Sequence, residues 1–366
     1  MGATMKDIAK LTGLGLATIS SYFNGGNVRE KNRIKIEEAV KELNFEVNEV
    51  ARGLKTNRTK MIGIIIPEMN NTFFAEIITE AEDILRSHGY ATMICDCRSD
   101  ARREKEAVEF LFHRRVDGLI IMPADPAGSS LERFVKAGKP IVMIDRKIEG
   151  IRCDCILVDN VGAASDAVGR LIRAGHKEIG MIAGPEDVYT SRERQKGYRR
   201  ALQEAGITAR DQLIEKGNYT IAGGAAAMRK LKETNPDMTA VFVSNYEMTV
   251  GAMMEINDMG VSVPEELSVI GFDNIDFAKA AVPRLSIVTQ PTKEIAREAS
   301  VVLLERLNEA GTGRSPAGAE AGDDPAHEAR KKRAVKNISL KTRFMEGKSI
   351  KDLSKETVET GLQGEN

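Results

Sequence analysis

The residues able to do chemistry in this chain are mostly hydrogen-bonding side chains, and they recur where short apolar runs end. Glu68 follows Ile62–Ile66, Asp96 follows Ala91–Cys95, and Asp145 with Arg146 follows Ile141–Ile144. Ser244 and Asn245 follow Ala240–Val243, and Asp273 comes just after Leu267–Ile270. Carboxylates, amides and a guanidinium in such number suit a small polar molecule held by directed hydrogen bonds. They do not compose a catalytic site. The four histidines, His88, His113, His176 and His327, are scattered and follow no triad or metal spacing. There is no G-x-x-x-x-G-K-[ST] loop and no G-x-G-x-x-G after a strand. Neither an enzyme nor a cofactor is expected. The cysteines stand as Cys95/Cys97 and Cys153/Cys155. Zinc thiols are usually separated by about two to four intervening residues, whereas here a single aspartate intervenes. On a strand both thiols of such a pair share one face, so no metal is expected.

The elements that must position these groups show in the rhythm of the sequence. From Met61 onward, short apolar strands alternate with amphipathic helices; Ile179–Ala183 and Leu119–Met122 complete the set of seven strands. Continuous apolar strands with crossover helices indicate parallel sheets covered on both faces. Some 290 residues of this pattern suit two lobes. Ligands of such sheets bind beyond the carboxyl ends of the strands, where the polar groups collect. The first 45 residues differ, reading as three short helices. Thr4-Met5-Lys6-Asp7 has the form of a capping box. A tight turn falls at Thr12-Gly13, and Ile36, Ala39, Val40 and Leu43 give the third helix one buried face. Three small helices around one tiny core form a helix-turn-helix.

Charge divides in the same place. Residues 1–60 hold 11 Lys/Arg against 7 Asp/Glu, a net of +4, and the other 306 hold 42 against 47, a net of −5. A basic head on an acidic body suits a partner that is anionic at one end. The start, Met1 to Lys10, is polar, and no apolar run approaches the ~20 residues of a membrane span. The chain is expected in the cytoplasm. Residues 309–333 are rich in Gly, Ala, Pro, Glu and Asp and read as a flexible loop. One last strand is expected over Ile338–Phe344, and 348–366 reads as a polar tail without leucine heptads.

In order and at correct separations, these residues resemble the lac/galactose repressor family of bacterial regulators. The head carries Lys6-Asp7-Ile8-Ala9, Gly13, Ala17-Thr18-Ile19-Ser20 and Asn24-Gly25. The core carries Arg115-Val116-Asp117-Gly118, Asp145-Arg146, Val158-Asp159-Asn160, Gly175-His176 and Gly271-Phe272-Asp273. The resemblance implies an α/β fold. Its core is two-lobed and periplasmic-binding-protein-like, built of two parallel doubly wound sheets, behind an all-α helix-turn-helix domain. The implied divisions are a DNA-binding domain at 1–46, a hinge helix at 47–60 and a core at 61–347. Within the core, lobe 1 would hold about 61–158 and 291–308, and lobe 2 about 159–290 and 334–347.

The resemblance also assigns roles. Thr18, Ser20, Asn24 and Arg33 match phosphate-contacting positions, which set register without reading sequence. Leu16 and Ala17 match base-edge positions and could touch a thymine methyl. Ser21 stands where the family usually has an arginine that grips guanine. Gly15 replaces a capping serine, and Val47 a proline. Asn48, Ala51 and Leu54 match a hinge whose leucine wedges into the minor groove. Phe73, Arg146, Thr190, Arg194, Tyr219, Asn245, Asp273 and Gln290 match the effector cleft. That set suits a sugar, and two arginines would accept a sugar acid or phosphate. The expectation is a homodimeric transcriptional regulator that binds a double-stranded operator under allosteric control by a small metabolite. The rival, a sugar-binding receptor without DNA function, would need a signal peptide and no head.

Overall fold

The computed structural model describes residues 3–23, 25–46, 58–273, 275–312 and 334–355. These fall into two compact units, Met1–Thr59 and Lys60–Asn366. In the first, the helices are α1 (Met5–Thr12), α2 (Leu16–Phe23) and α3 (Glu30–Glu42). Asp7 fastens the start of α1, its carboxylate accepting from the Thr4 N–H at 2.8 Å and from the Thr4 hydroxyl at 2.7 Å. The helix stops at Gly13, whose φ of +68° lies in the left-handed region open to glycine. Ile8, Ile19, Ile36 and Ala39 form the buried centre, with Tyr22, Phe23, Val40, Leu43 and Phe45 packed around it.

The second unit contains two six-stranded sheets. The first uses β1 (Met61–Ile66), β2 (Ala91–Asp96), β3 (Gly118–Ile121), β4 (Ile141–Ile144), β5 (Asp154–Val158) and β11 (Asn337–Leu340), in the order β2-β1-β3-β4-β5-β11 and parallel throughout. The second uses β6 (Ile179–Ala183), β7 (Ile214–Lys216), β8 (Ala240–Val243), β9 (Ser268–Phe272), β10 (Ser286–Thr289) and β12 (Arg343–Met345). Its order, β7-β6-β8-β9-β10-β12, repeats the first, except that β12 runs antiparallel to β10.

Helices cover both faces of each sheet, which is why strands such as Ile62–Ile66 are apolar without alternation. On the first sheet, α4 (Thr72–Ser87) and α12 (Thr292–Thr312) bury Phe74, Ile77, Leu85 and Leu303 on one side. On the other, α5 (Ala101–His113) and α6 (Glu132–Lys136) bury Val108, Leu111 and Phe134. Cys97, Cys153 and Cys155 share that second face, with Cys95 packed against it, and all four thiols are free. The second sheet lies between α7 (Asn160–Arg173) with α8 (Tyr189–Glu204) and α9 (Ile221–Thr234) with α10 (Tyr246–Asp258). A short α11 (Ile275–Ala280) precedes β10. The chain passes between lobes three times: after β5, after β10, and between β11 and β12.

Several boundaries differ from the sequence reading. The single strand expected over Ile338–Phe344 is two, split at Lys341-Thr342 and shared between the sheets. Residues 337–340 therefore belong to lobe 1, not lobe 2. Residues 309–312 are the last turn of α12 rather than loop, while 313–333 lie outside the described residues. The tail is also shorter than expected, because 348–355 packs on lobe 2. Ser349 is fully buried, and the Leu353 N–H donates to the Ala174 carbonyl at 2.8 Å. Buried His176 holds the same segment, with one ring nitrogen 2.9 Å from the Thr239 hydroxyl and the other 3.1 Å from the Lys351 carbonyl.

Candidate functional site: an interlobe cleft and a helical head

Both sheets share one strand order, so each reverses direction at its first strand, between β1 and β3 and between β6 and β8. Ligands are expected beyond the carboxyl ends there. A cleft opens at this place between the lobes. All eight residues assigned to an effector by the resemblance line it: Phe73 and Arg146 from lobe 1, and Thr190, Arg194, Tyr219, Asn245, Asp273 and Gln290 from lobe 2.

Two aspartates occupy equivalent places at its base. Asp145 follows β4 and Asp273 follows β9, and both have left-handed backbones, with φ of +64° and +62°. Aspartate tolerates that region better than most residues, and such conformers gather at functional sites. Arg194 answers both. It is 3% exposed, and its charge draws the carboxyls of Asp145 and Asp273 down against the stronger upward push of burial. The net result leaves Asp273 raised to about 6. The Arg194 guanidinium donates to Asn160 Oδ1 at 2.8 Å and to the Ser244 carbonyl at 2.6 Å, and lies 3.7 Å from the Phe272 ring centre. Arg146 pairs with Asp145 at 3.4 Å and donates to the Pro123 carbonyl at 3.2 Å. Both arginines are thus occupied within the protein, which leaves less of them for an anion than the sequence suggested.

The aromatic groups come from opposite lobes. Phe73 is the second residue of α4, whose first turn is capped by Asn71, the Oδ1 accepting from the Phe73 N–H at 2.9 Å. Tyr219 has φ of +57°, an outlier for a bulky residue. Its hydroxyl lies 3.2 Å from that of Thr190. Gly184, at the end of β6, makes its ring position possible: a Cβ there would sit 2.2 Å from Tyr219 Cε1. Gln290 donates to Asp273 at 2.9 Å, while its Oε1 is buried without a partner.

The effector set implied by the resemblance left out several lining residues, chiefly Glu68, Asn71, Asp145 and Glu247. Glu68 and Asp145 were visible as polar groups ending strands. Glu247 carried no such signal, since it lies inside the first turn of α10, two residues past Asn245. Tyr246, beside it, stacks edge-on against Phe277 with ring centres 5.9 Å apart.

In the head, Leu16 and Ala17 are exposed on α2, and Thr18, Ser20 and Ser21 are half-buried, while Ile19 points inward. Positions 16, 17, 20 and 21 follow one face of the helix, away from Ile19. Gly15 supplies only its carbonyl as a cap, accepting from the Thr18 N–H at 2.9 Å. Arg33 is exposed and within 3.4 Å of Glu30 and 3.5 Å of Glu37, surface pairs weak enough for a phosphate to displace. Asn24, Asn48, Ala51 and Leu54 lie outside the described residues, as does the expected hinge helix apart from 58–60.

Comparison with known proteins adds three findings. Residues 4–48 match the family described as bacterial regulatory proteins, lacI family, and 168–319 match the periplasmic binding protein-like domain. The HTH-type transcriptional repressor CytR of Escherichia coli (strain K12) is 35% identical over 307 residues, covering 83% of this chain and 90% of that protein. Among solved structures, the transcriptional regulator CelR in complex with cellobiose is 28% identical with a TM-score of 0.68, covering 95% of this chain and 99% of that one. The lac repressor dimer bound to operator and the anti-inducer ONPF gives a TM-score of 0.77 at 24% identity, covering 96% and 100%, a likeness of fold.

Proposed function

Since the chain belongs to the lacI family of bacterial regulatory proteins, we propose that it is a homodimeric repressor whose interlobe cleft binds a small hydroxylated metabolite. It is a DNA-binding transcriptional regulator under ligand control, and acts in the cytoplasm, where its operator is. The observation that carries the effector site is convergence. Eight residues separated by up to 217 positions in the sequence, from Phe73 to Gln290, line one cleft at the switch points of both sheets. Its aromatic faces suit apolar C–H surfaces of a ring, and its amides and charges suit hydroxyls. The reading is binding rather than catalysis, because the two arginines at its base are held by groups of the protein itself, Arg146 by Asp145 and Pro123 and Arg194 by Asn160 and Ser244.

On the DNA side, the exposed face of α2 would enter the major groove, with Leu16 and Ala17 against thymine methyl groups and Thr18, Ser20, Asn24 and Arg33 toward phosphates. Ser21 in place of arginine removes a bidentate guanine contact, so the preferred operator should lack that guanine. Asn48, Ala51 and Leu54 would form the minor-groove hinge.

The test is selection of the preferred duplex from random sequence, followed by titration at rising salt. A regulator should show affinity falling linearly on logarithmic axes with a slope of about −0.9 per phosphate neutralised. A full-length protein that prefers no duplex over bulk competitor would end this reading.

A further inference from the structure

The charges of the cleft do not balance. Glu68, Asp145, Glu247 and Asp273 line it against Arg146 and Arg194, four carboxyls against two guanidiniums, an excess of two. Arg146 pairs with Asp145, while Arg194 gives its hydrogen bonds to Asn160 and the Ser244 carbonyl and acts on both aspartates through its charge. Glu68 of lobe 1 and Glu247 of lobe 2 remain: among the described residues neither stands in an ion pair, and the pull of the Arg146 charge on Glu68 is outweighed by burial and Asp96. Resting on the reading of this cleft as the effector site, we propose that the effector is a hydroxylated molecule bearing a protonated nitrogen, bound by Glu247 with Glu68 across the cleft.

Glu247 is built to accept. Asn71 Nδ2 donates to its Oε1 at 2.6 Å, and Asn245 Nδ2 donates to its Oε2 at 2.5 Å. Neither amide can turn round, because each oxygen is committed elsewhere. Asn71 Oδ1 caps α4 through the Phe73 N–H, and Asn245 Oδ1 caps α10 through the Met248 N–H at 3.0 Å. The helix caps thus fix both NH2 groups on one carboxylate, one donor to each oxygen. A carboxylate offers about four lone-pair sites, so acceptor capacity remains for a ligand. Burial, then Glu68 and Asp273, push Glu247 up to about 7. A cation beside it would reverse that push.

Two neighbours define the rest of the ligand. The buried Gln290 Oε1, without a partner, is a further acceptor, whereas Arg146, whose Nε faces Asp145 at 3.4 Å, brings a cationic edge to the same cleft. An acidic or phosphorylated sugar would add negative charge to the existing excess. A cation between carboxylates of opposite lobes would instead draw the lobes together.

The experiment uses the full chain and calorimetric titration of D-glucosamine, D-galactosamine and D-mannosamine against their parent hexoses, D-gluconate and glucose 6-phosphate. At least one amine should bind about tenfold or more tightly than its parent, the scale of a charge-assisted hydrogen bond. Glu247→Gln should erase that preference. Because an amide at that position could disturb the asparagine clamp, Glu68→Gln, outside the clamp, provides a second variant and should reduce the preference severalfold. Amine binding should also tighten as pH rises from about 6 to about 7, where Glu247 gains its charge. It should weaken again toward pH 8 as the sugar ammonium loses its proton, at or below the α-amino range of about 7.7–8.0, while Glu68, Asp145, Asp273, Arg146 and Arg194 hold the surrounding charge. A panel in which no amine binds, in which acids or neutral sugars bind better, or in which both variants keep the preference overturns the proposal. Failure of the full chain to select any operator would instead overturn the regulator reading and leave this ligand test standing.

Discussion

Removing the Arg194 guanidinium would leave Asp145 and Asp273 buried with one shared cation gone, so Arg194→Ala should do more than blunt effector binding. Asp273 already sits above the ordinary carboxylate range at about 6, and Asp145 is raised by burial. A carboxyl raised in the folded state keeps its proton there longer than in the unfolded chain, so stability falls as pH climbs from the unfolded value to the folded one. For the wild type that window runs from about pH 4 to the values of Asp273 and Glu247, about 6 and about 7. Without Arg194 the window extends upward. The variant should therefore lose about 1–3 kcal/mol near pH 5, from the buried Asn160 and Ser244 acceptors left bare, rising to about 3–5 kcal/mol near pH 8 as stranded carboxylate charge is added. Thermal melts at both pH values check this, and equal losses would show that Arg194 does not hold these carboxyls. Effector response should vanish in the same variant. Asp145 and Asp273 were legible from sequence because they follow strands, whereas Arg194, inside α8, was named only by the resemblance. Glu247 was not legible, because its partner Asn71 is 176 positions away on the other lobe.

Elements were legible where an apolar run is uninterrupted and obscure where a polar group sits inside one. Ile62–Ile66 announces a strand. Asp154 hides β5, since nothing in the sequence shows that Arg306, 152 positions on, meets it with two hydrogen bonds of 2.8 Å. β7 is a polar edge strand of three residues, and β10 is only Ser-Ile-Val-Thr. The split of β11 from β12 turns on Lys341-Thr342, whose composition does not mark a crossing between sheets. The segment after β12 was read as a polar tail for the same reason: its serines and lysines look solvated. In the fold, Ser349 Oγ donates to the Val269 carbonyl at 2.6 Å and accepts from the Ser286 N–H at 2.8 Å, while the Val269 N–H donates to the Ser349 carbonyl at 2.8 Å. The segment is a strap across β9 and β10. Ser349→Ala strands a buried N–H and a buried carbonyl, and should cost about 1–3 kcal/mol. Urea unfolding should show a lower midpoint at unchanged slope. A midpoint unmoved from wild type would return the segment to the status of a tail.

At the scale of the whole molecule, one chain carries a DNA-reading unit and a ligand-binding unit, and thermodynamics constrains how they can speak to each other. The two lobes are joined by three crossings and enclose a cleft with unmatched carboxyls on either side. A ligand that binds one arrangement of the lobes better than another shifts the population toward it, by no more than its differential affinity. If that shift changes operator affinity by some factor, the operator must change effector affinity by the same factor, whether the effector releases DNA or tightens it. Couplings of this kind typically span about 5- to 150-fold, well within the reach of titration. The amine that binds best should therefore be titrated into the full-length protein with and without its selected duplex, and the duplex titrated with and without saturating amine. The two ratios of Kd should agree. An operator Kd that moves tenfold, about 1.4 kcal/mol, while the amine Kd stays the same with and without DNA would mean that the amine acts somewhere other than through this chain's own equilibrium, for example by competing for the duplex. That outcome would separate ligand binding in the cleft, which could still be real, from control of transcription, which would then need another cause.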